Sequence, residues 1–136
     1  MGEIMRRFAL YAALGLLIEV LFTGVRSVLQ GNPSATSTTY LWMIPIYGFA
    51  ALAMEGLQSA TGWRWVSLAP AFVLLIFAIE YVSGWAIKQL IGVCPWDYGQ
   101  SEWTPGGYIN LRYTPFWLAL AAGFGPISTW VKAVAS

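Results

Sequence analysis

At 136 residues, with 58% hydrophobic and only 10% charged side chains and a mean hydropathy of +0.63, the chain is far more apolar than a soluble domain, in which about 25% of residues are charged. Its net charge of +1, with no run of Lys or Arg, excludes nucleic acid as a partner, because phosphate binding needs clustered cations. Histidine is absent, no Gly-rich phosphate loop is present, and the single cysteine, Cys94, excludes an internal disulfide and a multi-cysteine metal site, so no metal or cofactor is expected. These features predict an all-α integral membrane protein, one transmembrane domain over residues 1–136 built as a bundle of about four helices.

In chain order, the first apolar run covers residues 8–29 after a short stretch containing Arg6 and Arg7. Its length and the internal Glu19 read as an uncleaved spanning helix rather than a secretory signal. Residues 31–39 (GNPSATSTT) form a polar turn segment, and residues 40–60 a second run that holds Pro45, Gly48 and Glu55. A short connection through Arg64 leads to the third run, residues 65–91. An aromatic-rich loop over residues 94–112 precedes the fourth, residues 113–134, which Gly123, Gly125 and Pro126 interrupt. Runs of this size reach about 31–40 Å as helices, enough to cross a hydrocarbon core with some tilt. An even number of passes puts both termini on one side, with Arg6, Arg7, Arg64 and Lys132 against Arg26, Lys88 and Arg112 on the other. The positive-inside rule then favours cytoplasmic termini in a bacterial inner membrane. Tryptophans near the run boundaries, among them Trp42, Trp63, Trp65, Trp96 and Trp117, fit an interfacial belt.

The informative residues are the carboxylates inside apolar runs, Glu19, Glu55 and Glu80. Each costs about 2.5–3.5 kcal/mol near the bilayer centre, so each needs compensation or a function. Counted along ideal helices, Glu19 lies about 16 Å from the start of its run, Glu80 about 22 Å from Trp65, and Tyr47 about 10 Å in from Tyr40. All three fall in the middle of the membrane or in the half facing away from the termini. The loop carrying Trp96, Asp97, Tyr98, Asn110 and Arg112 enters from that same side. Gly15, Glu19, Thr23 and Arg26 form one helical stripe. Glu80 and Lys88 are about 12 Å apart along their helix, too far for a close pair, so Arg26, Arg112 or tyrosine hydroxyls are the expected partners of Glu19 and Glu80. Glu55 lies toward the terminal side, where it is expected to snorkel or to pair with Arg64.

These residues also carry a resemblance. Leu17-Ile18-Glu19-Val20, Pro45-Ile46-Tyr47-Gly48, Glu80-Tyr81 with Gly84, Trp96-Asp97-Tyr98 and Gly107-Tyr108-Ile109-Asn110-Leu111 before Trp117 resemble the CmpB-like ABC-transporter type IV family of small membrane permeases. Two positions depart from its pattern: Leu41-Trp42 stands where the family has Gly-Pro, and Thr104 where it has Asn. The resemblance implies that Glu19, Tyr47, Glu80, Trp96, Asp97 and Tyr98 occupy motif positions.

The expected function is a permease-like or solute-binding membrane component. Glu80 is its principal ionisable group, Glu19 the companion, Arg112 or Arg26 the counter-charge, and Trp96 and Tyr98 the lid over a site that includes Tyr47 and Asp97. Four spans enclose little volume, so a homo-oligomer or a partner membrane subunit is expected, with membrane lipid around it. The short link between the second and third runs leaves no room for the coupling helix of an ATP-driven permease. Two alternatives stand beside this reading. One is an accessory subunit packed through Ala119, Gly123 and Gly125. The other is an enzyme acting on a lipid or isoprenoid through its carboxylates, less expected because histidine, an Asp-rich helical motif and a nucleophile setting are all missing.

Overall fold

A computed structural model describes residues 1–136, and all of its regular structure is helical, with no strand. Five α-helices follow one another: α1 (Gly2–Leu29), α2 (Met43–Thr61), α3 (Trp65–Ile91), α4 (Thr114–Ala122) and α5 (Phe124–Ala135). Two 3₁₀ turns, Pro105–Gly107 and Leu111–Tyr113, lie in the loop before α4. The helix stops are written in the sequence. α2 ends where Gly62 takes a left-handed φ of 66° and its N–H returns to the Gln58 carbonyl, and α3 ends the same way at Gly92, with φ 86°. α1 starts at Gly2, ahead of the apolar run, and Glu3 and Arg7 face each other one turn apart at 3.8 Å.

Two helices, α1 and α3, at 28 and 27 residues, are each long and apolar enough to cross a membrane. Residues Leu111–Ala122 and Phe124–Ala135 make a further span if the bent pair is counted as one, the two parts meeting at 51°. Of the about four spans expected, two meet that length and apolarity on their own, or three with the broken pair, and α2 is the one that falls short. In α2, Glu55, Gln58 and Pro45 dilute a helix only 19 residues long. In the first turn of α5, Pro126 cannot donate to the Ala122 carbonyl, which helps break the helix at Gly123.

Close packing depends on small residues. Gly15 of α1 lies under the Tyr47 ring, where a Cβ would come within 2.6 Å of it, and Gly48 of α2 lies under Phe8. The terminal half holds the largest buried core, with Tyr11, Leu68, Phe72, Phe124 and Val131 together and Trp65 resting on Gly125. Arg6 Nε donates to the Ala135 carbonyl at 2.8 Å, so the two chain ends lie side by side.

α1 and α3 outreach α2 and α4, and two loop segments fill the difference. Residues 31–39 fold back along α1: Ser37 Oγ donates to the Val20 carbonyl at 2.7 Å and the Thr38 N–H to Thr23 Oγ1 at 3.1 Å, with Gly24 leaving room for Ser37. Residues 92–113 cover the far end of α3, where Gly84 lies beneath Tyr108, Cys94 and Trp96. The Trp96 indole N–H donates to the Tyr108 carbonyl at 2.9 Å, and the Leu111 N–H to the Trp103 carbonyl at 2.8 Å. Trp96 is therefore no belt residue, being 4% exposed, whereas Trp42, Trp63, Trp85, Trp103 and Trp130 do face outward.

Candidate functional site

The two loop segments and the far halves of α1 and α3 enclose a cavity of about 250 Å³, open on one side. Glu19 and Arg26 of α1, Tyr47 at the start of α2, Glu80 of α3, and Trp96, Asp97 and Tyr98 of the loop all line it. Each carboxylate is held by a hydroxyl from a loop. Tyr98 donates to Glu80 Oε1 at 2.6 Å, and Thr39 donates to Glu19 Oε2 at 2.8 Å. Tyr47 lines the same cavity as both carboxylates. The rest of the wall is largely aromatic: Phe22, Tyr40, Tyr113, Phe116 and Trp117.

Neither Glu19 nor Glu80 has a cation within 4 Å, since the ion pairs of the molecule are those of Arg7 with Glu3 and with Glu55. Arg26 sits at the cavity wall, but its Nη1 donates to the Tyr113 hydroxyl at 2.6 Å and its guanidinium lies 5.6 Å over that ring. Arg112 is exposed and lies outside the cavity, with its backbone N–H accepted by Asn110 Oδ1 at 3.1 Å. The expected pairing of Arg26 or Arg112 with the two carboxylates is thus absent. Asp97 shapes the loop: its Oδ1 accepts the Gly99 N–H at 2.8 Å, and a Cβ on Gly107 would lie 3.0 Å from that oxygen. Burial, and then the charge of Glu80, hold the Tyr98 hydroxyl well above the usual phenol range, so it acts as a neutral donor. Burial also pushes the Cys94 thiol up.

Among the residues that bond to Glu19, Glu80 and Arg26, two escaped the sequence reading, Thr39 and Tyr113. Both lie at segment ends, where no periodicity marks a face. Their only signal is adjacency, Thr39 closing the polar stretch beside Tyr40 and Tyr113 following the Asn110 turn.

A second polar cluster lies at the other end of the bundle. Glu55, expected near Arg64, is instead buried at 5% exposure and held by three groups. Arg7 Nη1 donates to its Oε2 at 2.8 Å, while the Tyr11 hydroxyl and the Ser128 hydroxyl, the latter at 3.1 Å, donate to Oε1. Glu55 faces α1 and α5, whereas Arg64 lies exposed in the turn after α2. Between the two clusters is an apolar cavity of about 90 Å³. Tyr47 and Glu80 line it and also line the larger cavity, and Tyr11 lines it while bonding to Glu55.

Long apolar helices with one buried and one half-buried carboxylate facing a cavity define an all-helical membrane protein. The chain belongs to the family described as "Putative ABC-transporter type IV", whose sequence profile matches residues 7–133 and so spans every residue of both clusters. No solved structure matches the chain.

Proposed function

We propose that the protein is a permease-like membrane component whose far-side cavity takes a small organic cation. The observation that carries this reading is that Glu19 and Glu80 face one cavity of about 250 Å³ with no basic group within 4 Å of either. A carboxylate left without a cation in an apolar bundle is costly, and a bound cation relieves that cost. The aromatic side chains of Tyr40, Trp96 and Phe116 in the cavity lining supply the second element of ammonium recognition. The volume lies below the roughly 300–1,000 Å³ of sites for drug-sized ligands, which favours an alkylammonium of a few carbons. Tyr98 and Thr39 act as stand-in donors that rotate aside when the cation arrives.

In this reading α1, α2, α3 and the broken α4–α5 pair make four passes, with cytoplasmic termini in a bacterial inner membrane. α2 crosses with less apolar surface because its charge is neutralised inside the bundle by Arg7. One chain encloses little space, so transport takes place in a homo-oligomer or with a partner subunit. Gly62, Trp63 and Arg64 alone join α2 to α3, which speaks for a solute-binding role rather than direct coupling to an ATPase.

The test is thermal unfolding of the detergent-purified protein with methylammonium and tetramethylammonium, wild type beside Glu80→Gln. Saturating ligand at about 100 times its Kd stabilises by about 2.7 kcal/mol, a shift of several degrees for a chain of this size. Glu80→Gln is expected to fold and to lose that shift. A wild type that responds to neither ion, together with a variant that fails to fold, would overturn the cation site and favour a structural subunit.

A further inference from the structure

The Glu55 cluster repeats the chemistry of the far-side site with one difference, which is that its carboxylate already holds a cation. That cation is Arg7, whose side chain is 21% exposed and reaches Glu55 from the edge of the bundle at 2.8 Å, while the Glu55 side chain is only 6% exposed. Tyr11, bonded to the same carboxylate, also lines the apolar cavity that Tyr47 and Glu80 line. A solute leaving the far-side site toward the terminal side would cross that cavity and meet Tyr11 and Glu55 next. One nitrogen of the latch lacks a hydrogen bond, because Arg7 Nε is buried and the Glu3 carboxylate that faces it stands 3.8 Å away. It also joins three helices, α1 through Arg7 and Tyr11, α2 through Glu55 and α5 through Ser128. α5 follows the 51° break at Gly123, a ready hinge for the helix that carries Ser128.

We infer that Arg7, Glu55, Tyr11 and Ser128 form a gate that closes the terminal-side end of the path, with Arg7 occupying the carboxylate that a passing cation would otherwise meet. The inference rests on the far-side cavity being a solute site. The gate opens when Arg7 swings out on its flexible stem and α5 moves about Gly123. Glu55 is then exposed to the apolar cavity through the space that Tyr11 vacates.

Arg7→Gln/Glu55→Gln replaces the latch by two neutral amides of similar size and avoids stranding a buried charge. In a Cys94→Ser background, Met54→Cys places a thiol on the wall of the apolar cavity next to Glu55, and Val73→Cys places an equally buried thiol in a separate core with Phe77 and Ile109. Both are labelled in the full-length protein with a trimethylammonium methanethiosulfonate. The gate predicts that the double variant accelerates labelling at Met54→Cys by tenfold or more and leaves Val73→Cys unchanged. An unchanged rate at Met54→Cys overturns it, as does equal acceleration at both positions, which would make the cluster structural glue. Tryptophan fluorescence titration with methylammonium, wild type against Glu80→Gln, reports separately on the far-side site. Failure of that site and failure of the gate are therefore distinguished.

Discussion

Tyr98 donates to Glu80 across 2.6 Å from a loop residue 18 positions downstream, and this contact fixes the aromatic loop over the end of α3. A hydrogen bond to a charged acceptor contributes about 1.5–3 kcal/mol. Tyr98→Phe keeps the ring and removes the donor, so it should lower unfolding free energy by about that amount in detergent. The same substitution placed on Glu80→Gln should cost under half as much, because the charged acceptor is already gone. Equal losses in the two backgrounds would show that the hydroxyl does not act through Glu80.

The contact of Gly15 with Tyr47 makes a sharper packing prediction. A Cβ at Gly15 would lie 2.6 Å from a ring that is itself wedged between α1 and the cavity, whereas at Gly56, also inside a helix, it would meet nothing within 4 Å. Gly15→Ala should therefore destabilise by about 1–3 kcal/mol through overpacking. Gly56→Ala should stabilise by about 0.5–1 kcal/mol through helix propensity alone. Thermal unfolding of the two variants side by side tests both signs.

Hydropathy and residue spacing made the helices legible before any packing was known. α3 occupies the whole of the third apolar run, and the stripe of Gly15, Glu19, Thr23 and Arg26 does face one cavity. Counting residues along helices also put Glu19, Tyr47 and Glu80 in the middle of the membrane or its far half, because an unbroken helix converts number directly into height. What counting does not supply is rotation and partner. Glu55 and Arg64 are near in sequence and in height, yet Glu55 turns inward to Arg7, a residue 48 positions away. Arg112 is close to the cavity in sequence order, but the Asn110 turn keeps it on the outside. The backward fold of residues 31–39 along α1 was equally invisible, since it depends on hydroxyl contacts such as Ser37 to Val20 rather than on periodicity.

Cys94 offers a probe of the loop. Burial against Gly84 raises its thiol above the ordinary range, so less of it is thiolate at any given pH near 8. In the folded protein it should react with maleimide several-fold more slowly than a free cysteine at pH 8, and denaturation should restore the free rate. Because the pKa is raised, the deficit should narrow as pH climbs through the shifted value. A folded-state rate equal to the free one would show that the loop does not cover α3 at Gly84.

The two candidate partners of Glu55 can be separated by truncating each in turn. Removing one member of a buried ion pair strands the other and costs about 3–5 kcal/mol, while truncating an exposed arginine changes stability by about 0.5 kcal/mol or less. Glu55 is 5% exposed and bonded to Arg7, and Arg64 is exposed with no bond to it. Arg7→Ala should thus lower the unfolding temperature strongly, and Arg64→Ala hardly at all. Glu55→Gln combined with Arg7→Gln should recover most of the loss, because the uncompensated charge rather than the missing contact is the main penalty. If Arg7→Ala and Arg64→Ala were equally mild, Glu55 would have to be satisfied by Tyr11 and Ser128 alone, and Arg7 would lose its role as the resident cation of that cluster.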